Sequence, residues 1–331
     1  MIVNYIIIKM DNTLAPIVLF VYNRPFHTER TLISLTENEL ALQSTLYIYC
    51  DGYKENASEE IVENIKAVRR IVKEKQWCNE VFIIESEDNL GLALSIKTGV
   101  SEVLEKHGRV IVMEDDLITS PAFLTFMNQS LDYYSSRKSV FSIGGYNMPT
   151  TMMKIPDDYE YDVYVCLRNE SWGWATWEDR WNQVDWTVAN YQSILKNKQM
   201  QDAMNRGGDD VFEMLKMQQN GKLNIWSIQF TMAHFVNHAV SIVPTHSYVD
   251  NAGLDGSGEN CGTSISLINN SLNINKEIRF LDILYEDKRI INAFYSANCR
   301  VKRPLWQKLI NRASRILGRK NLFVIKKKIY S

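Results

Sequence analysis

Three consecutive acids, Glu114-Asp115-Asp116, close an apolar run, Arg109-Val110-Ile111-Val112-Met113, that reads as a buried strand. An open α/β sheet holds its ligand just outside the carboxyl ends of its strands. Carboxylates clustered there repel one another unless a cation or a donor-rich ligand compensates. A hard divalent ion is the simplest compensation, because an Mg²⁺-like ion binds through one or two carboxylates plus phosphate oxygens of a substrate. The competing reading is a solvated acidic turn.

The elements before the triplet decide how it is placed. Residues 15–22 (APIVLFVY) predict a first buried strand, broken by Asn23-Arg24-Pro25. Residues 28–40 have helical spacing, and Leu46 to Cys50 predicts a second strand that ends at Asp51-Gly52. Ser58-Glu59-Glu60 has the form of a helix start, with a serine cap and acids favoured by the dipole, and that helix is predicted to run to about Lys75. Val81 to Ile84 is a third strand, Asn89-Leu90-Gly91 a turn, and Ala93 to His107 a helix leading into the Arg109 strand. Alternation of this kind predicts a mostly parallel sheet with helices on both faces. Its topology gathers Asn23-Arg24, Asp51-Gly52, Asn89 and Glu114-Asp115-Asp116 along one edge.

The second half is less regular. A helix is predicted over 121–134, a strand over 141–145, a helix up to Gln219 after Gly207-Gly208-Asp209-Asp210, a helix over 226–237 and a strand over 240–243. Between them lies a dense aromatic block, Ser171-Trp172-Gly173-Trp174-Ala175-Thr176-Trp177, and residues 251–262 read as a polar, Gly-rich loop. The expected organisation is an α/β half over 1–135, a second half of the same domain over 136–285, and a tail over 286–331.

The chain has 331 residues, 45% of them hydrophobic, enough for a sizeable core. Its five cysteines are scattered, odd in number and without metal-ligand spacing, which fits reduced thiols and a cytoplasmic protein. No signal peptide or spanning segment is visible. The net charge of −2 hides an asymmetry: thirteen Lys or Arg and no acid follow Asp287, leaving a net of −15 before it. An acidic body argues against nucleic-acid binding. In the tail, Leu305, Trp306, Leu309, Ile310, Ala313, Ile316 and Leu317 share one helical face, and Lys308, Arg312, Arg315 and Arg319 lie largely on the other. Together with Lys326-Lys327-Lys328, residues 304–328 have the make-up of a helix lying on the inner face of an anionic plasma membrane. The alternative is a helix packed on the acidic body.

This ordered set of motifs, over about residues 15–265, resembles nucleotide-sugar-dependent glycosyltransferases of the GT-A fold, and among them bacterial relatives of the N-acetylglucosaminyltransferase I type. The residues that carry it are those from Pro16 to Pro25, Asp51-Gly52, Asn89-Leu90-Gly91-Leu92, Glu114-Asp115-Asp116-Leu117, Trp172 to Trp177, Gly207-Gly208-Asp209-Asp210 and Asp255-Gly256-Ser257-Gly258. The resemblance implies a Rossmann-like sheet that holds a nucleotide-diphosphate sugar, Mn²⁺ or Mg²⁺ as cofactor, and a glycan acceptor, here expected to be a lipid-linked bacterial surface glycan. It puts Asn23 and Arg24 near the diphosphate or base and gives Asp51 a hydrogen bond from the base. Asn89 and Lys97 are further candidates to support the nucleotide, with a plain exposed helix residue as the alternative for Lys97. Asp115 falls near the ribose or sugar, and Asp116 with Glu114 at the metal. The implied chemistry is an inverting displacement at the anomeric carbon, with a carboxylate taking the acceptor proton.

Related transferases often supply that carboxylate from an Asp-x-Trp sequence, matched here by Asn224-Ile225-Trp226; an amide cannot act as the base. Asp209 and Asp210 are the other candidates, and a helix cap is their structural alternative. Trp172, Trp174, His246 and Asp255 are candidates for the acceptor or sugar pocket, against core packing for the tryptophans, a satisfied structural histidine for His246 and a surface turn for Asp255. Two rivals stay open. A nucleotidyltransferase that makes the activated sugar would want a Gly-rich basic loop after the first strand, and Asn23-Arg24-Pro25 is not one. A catalytically inactive glycan- or nucleotide-binding relative would tolerate Asn224.

Overall fold

A computed structural model describes residues 13–255 and 271–299. The first half alternates as its sequence predicts: β1 (Ile17–Val21), α1 (Pro25–Thr36), β2 (Thr45–Cys50), α2 (Glu59–Ile71), β3 (Glu80–Glu85), α3 (Leu92–His107) and β4 (Arg109–Glu114). The first helix starts three residues earlier than its apolar spacing suggests. Pro25 occupies the first turn, where a missing N–H costs nothing and the fixed φ suits the helix. Ser58 caps α2 by accepting a hydrogen bond from the Ile61 amide.

The second half contributes β5 (Leu117–Thr119), α4 (Phe123–Tyr134), β6 (Val140–Gly144), β7 (Val163–Cys166) and β8 (Trp174–Trp177). Next come α5 (Glu178–Trp181), α6 (Tyr191–Lys196), α7 (Lys198–Met204), α8 (Val211–Gln219), α9 (Ser227–Val236), β9 (Val240–Pro244), β10 (Val249–Asn251) and α10 (Lys288–Asn298). Eight strands form one sheet in the order β3-β2-β1-β4-β8-β6-β9-β7. β1 to β4 run parallel, as do β6 and β9; β8 is antiparallel to both β4 and β6, and β7 is antiparallel to β9. β5 and β10 pair separately as a short antiparallel ribbon, with Asn251 opposite Leu117.

Alternate residues of the central strands face opposite layers. Ile17, Leu19, Ile111 and Met113 pack with α1, α2 and α4, whereas Val18, Phe20, Val110 and Val112 pack with α3 and α9. Each such fully buried side chain contributes about 1.5–3 kcal/mol. Trp174, one of the sugar-pocket candidates, opens the buried strand Trp174-Ala175-Thr176-Trp177 in the middle of the sheet, which is the core-packing alternative. α6, α7 and α8 build a smaller helical cluster against Ile228 and Met232 of α9. α10, the first part of the basic tail, docks Ile290 and Phe294 against Tyr164, Cys166 and Val243. The amphipathic pattern of 304–328 lies outside the described residues. Among the described residues no helix is long and apolar enough to cross a membrane, and Cys50, Cys78, Cys166 and Cys299 are free thiols.

Candidate active site

Parallel strands end on the same edge, so β1, β2, β4, β6 and β9 deliver Asn23-Arg24, Asp51, Glu114 to Asp116, Tyr146 and His246 to one side of the sheet. β8 runs the other way, which brings Glu170 to Gly173, its lead-in, to that same edge. A cleft there is lined by Leu92 and Ala93 at the start of α3, by Glu114 and Asp116, by Ser171 and Trp172, and by Asn224, Trp226 and Asn251.

Arg24 is the charge partner of the triplet. Its guanidinium pairs with Asp115 and lies 2.9 Å from Asp116. Asp115 and Asp116 are each only 4% exposed, so they need this partner, while Glu114 stays partly open to the cleft. Burial opposes the Arg24 charge, but the two aspartates outweigh it and hold the guanidinium above its ordinary value. Burial pushes the Glu114 carboxyl up to about 8, and the Asp116 charge adds to that. The surrounding chain is shaped around these groups. Thr31 donates to the Asp115 carbonyl at 2.9 Å, and the Ala252 amide donates to the Asp116 carbonyl at 2.7 Å. A Cβ at Gly253 would fall 2.2 Å from Asp116 Oδ2 and 3.0 Å from an Arg24 nitrogen. Only glycine lets this turn, held by the Asn251 side chain at 2.7 Å, close over the pair.

Two hard-oxygen carboxylates that share a cleft and repel each other fit a divalent cation of the Mg²⁺ or Mn²⁺ kind. Among the described residues no group of three or more His, Cys, Asp or Glu side chains is placed to hold a metal. A cation at Glu114 and Asp116 therefore needs oxygens from a ligand to complete its shell, as phosphate-bound ions of this class do.

Asp51 has a different office from the one its resemblance suggests. Oδ1 accepts from the amides of Gly52 at 2.9 Å and Leu90 at 2.8 Å; Oδ2 accepts from Asn89 Nδ2 and the Gly91 amide, both at 3.0 Å. Four donors from the chain fill the carboxylate, so Asp51 and Asn89 tie the loop after β2 to the loop that opens α3. The tie aims Leu92 and Ala93 into the cleft. Lys97, one turn further along α3, lies 4.8 Å over the Trp186 ring. Burial lowers its pKa.

The pocket candidates separate. Trp172, 7% exposed, faces the cleft and meets the Tyr146 ring edge-on at 4.4 Å. Trp174 is fully buried in the other core layer, stacked on Trp226 at 4.6 Å and Trp181 at 5.6 Å, and has no face left for a sugar. His246 is exposed, with Nδ1 3.2 Å from the Thr245 hydroxyl. Asp255 ends the short 3-10 turn that begins at Ala252, and its side chain and Gly256-Ser257-Gly258 lie outside the described residues.

Asp209 and Asp210 do not line the cleft. Asp210 is buried against Arg168 at 3.2 Å, and Asp209 faces a separate polar cavity with Lys198, Arg206, Glu286 and Tyr295. The preceding Gly-Gly explains itself here: Gly208, at φ 135°, has Asp210 Oδ1 only 2.5 Å from where a Cβ would stand. Residues the sequence reading passed over are Tyr146, Arg168, Glu170 and Asn251. Their one sequence signal is adjacency to a strand end or to the Trp block.

No family model matches the sequence, and a comparison with curated proteins finds no match. Among solved structures, the chain is similar to a mannosyltransferase from Pyrobaculum calidifontis in complex with GDP-Man and Mn²⁺, at 13% identity and a TM-score of 0.39, over 69% of this chain and 71% of that one. It is similar to S. aureus TarS at 13% identity and a TM-score of 0.36, over 71% of this chain and 36% of that one. A UDP-glucose pyrophosphorylase complexed with UDP-glucose is similar at 15% identity and a TM-score of 0.37, over 72% of this chain and 94% of that one. At this distance, function rests on the residues of this chain.

Proposed function

We propose that this chain is a metal-dependent glycosyltransferase that moves a sugar from a nucleotide-diphosphate donor to a glycan acceptor with inversion. The observation that carries the reading is the buried pairing of Arg24 with Asp115 and Asp116 at the end of β4, beside the partly open Glu114 and Trp172. An anionic pit that also presents a cation suits a ligand carrying both a metal and a diphosphate. Glu114 and Asp116 would hold Mn²⁺ or Mg²⁺, which supplies charge neutralisation to the departing diphosphate. Arg24 binds the diphosphate oxygens, and the first turn of α3 offers its amides to the same group. Asp115 orients the ribose or sugar hydroxyls. Trp172 takes the apolar face of a sugar ring.

In this reading, residues 1–135 hold the donor and 136–285 form the acceptor side. A lipid-linked acceptor in bacterial surface polysaccharide synthesis fits a basic 304–328 segment on an anionic membrane, where each basic group contributes about 1 kcal/mol. The test is a panel of nucleotide sugars scored by thermal stabilisation with Mn²⁺ and with EDTA. A donor at a hundred times its Kd adds about 2.7 kcal/mol. Stabilisation by one donor with metal, lost in EDTA, is expected. No stabilisation by any member of the panel refutes the reading. Pyrophosphate release from a nucleoside triphosphate and a sugar phosphate marks the nucleotidyltransferase alternative, and donor binding without slow donor hydrolysis marks the inactive binder.

A further inference from the structure

The large sheet ends in β3 on one side and β7 on the other. At the β7 end the chain covers itself: the Asp162 amide donates to the Arg279 carbonyl, and Ile290 and Phe294 of α10 pack on Tyr164 and Cys166. β3 has no such cover among the described residues. The amides of Glu80 and Ser86 donate to the carbonyls of Ser44 and Cys50 on the β2 side. The N–H and C=O of one strand residue point the same way, and the direction alternates along the strand, so those of Val81, Ile83 and Glu85 face outward. Val81 and Ile83 pack their side chains on the core with Leu46 and Ile48. Phe82 and Ile84 project from the other face, 46% and 36% exposed. The Tyr47 ring stacks on Phe82 at 4.9 Å and extends this apolar strip.

An open edge is normally blunted by proline, lysine or a bulge. β3 reads Glu-Val-Phe-Ile-Ile-Glu, with no proline or lysine, and keeps an unbroken register with β2. Its two acids stand at its ends, and Lys73 lies 2.7 Å from Glu85.

We propose that this edge is an interface between two copies of the chain, formed by antiparallel pairing of β3 with itself. A two-fold contact must be self-complementary, and one register meets that condition. With Ile83 on the axis, its outward groups meet those of Ile83 of the second copy, and those of Val81 meet Glu85. Phe82 then stands directly opposite Ile84, twice. An aromatic and a β-branched side chain make a stabilising cross-strand pair. No two acids are opposed, because Glu80 faces Ser86. Centring on Phe82 instead sets Glu80 against Ile84. Pairing Glu80 with Glu85 opposes like charges and turns outward groups of one strand onto inward groups of the other. Six residues a side fall short of the about 20–30 of a standard interface, so the dimer forms reversibly with protein concentration. The inference stands apart from the transferase reading.

The experiment is sedimentation of the full chain from sub-micromolar to near-millimolar concentration, with residue-resolved hydrogen exchange at both ends of that range. A reversible monomer–dimer transition is expected. The amides of Val81, Ile83 and Glu85 should exchange slowly only at high concentration, while those of Phe82 and Ile84, turned toward β2, stay protected throughout. Phe82→Lys/Ile84→Lys sets like charges opposite one another and should be monomeric at every concentration, with its Tm little changed because both side chains are exposed. Phe82→Glu/Ile84→Glu should behave in the same way, and an equimolar mixture of the two should dimerise, since each Lys then faces a Glu. A parent chain that stays monomeric overturns the proposal. So does a dimer that survives in both variants, which uses another face. Slow exchange of Val81, Ile83 and Glu85 at every concentration also overturns it, by marking a segment of the same chain as the occupant of the edge. If a charged variant fails to fold, the exchange pattern of the parent still decides.

Discussion

Gly253→Ala tests whether the turn after β10 is built around the carboxylates. The added Cβ stands 2.2 Å from Asp116 Oδ2 and 3.0 Å from Arg24, so something must shift. The obstacle is a paired, buried carboxylate on one side and a fixed backbone turn on the other, which leaves no cheap escape. Overpacking of this kind costs about 1–3 kcal/mol. If the turn yields, the cost appears as stability. With an unfolding entropy near 2.1 cal/mol/K per residue, the 331-residue chain has a slope of about 0.7 kcal/mol/K, which makes the shift in Tm about 1.5–4 °C. If Asp116 yields instead, the cost falls on the metal–donor complex, as a loss of about 5- to 150-fold in donor affinity. Calorimetric melting and donor titration with Mn²⁺, run on the same preparation, capture both routes. A variant that keeps both Tm and donor affinity refutes the close-approach argument.

Asp116→Asn keeps the shape but removes a hard anionic ligand and one of the two charge partners of Arg24; the apo Tm should fall and donor stabilisation should become insensitive to Mn²⁺, and retained metal dependence would count against Glu114 and Asp116 as the pair. Asp51→Ala strands four donors at the loop junction, one buried unsatisfied group costing about 1–3 kcal/mol, so both Tm and donor affinity should fall; an unchanged Tm would restore Asp51 to a purely ligand-binding role. A chain ending at Arg303 should still bind donor but no longer sediment with anionic liposomes; failure of the full chain to bind them at low salt ends the membrane proposal.

The sequence made the first half of the fold readable because each strand there is an apolar run and each is followed by a helix of regular spacing. The same logic placed the acid triplet correctly at the end of β4. It failed at Trp174 to Trp177 because four residues are too few to display a period, and three tryptophans in six positions look alike whether they stack on a sugar or on one another. What distinguishes them is depth: Trp172 opens to the cleft and Trp174 has three aromatic neighbours, Trp181, Trp226 and Phe230. Asp51 shows a second limit. An acid at a strand end is visible in one dimension, but its four donors include three contributed from residues 89–91, nearly forty positions away.

The placement of β8 also governs how the protein can be made. β4 carries Val110, Ile111, Val112 and Met113, all fully buried, and one of its two edges is completed only by residues 174–177. On the ribosome, that edge waits for some sixty further residues after Glu114 has been added. At about 5–20 residues per second, the wait is about 3–12 s. An apolar strand with open hydrogen-bonding groups invites pairing with other chains for that time. Nascent chains stalled before residue 174 should therefore hold chaperones, and those extended far enough past residue 177 to free β8 from the exit tunnel should release them.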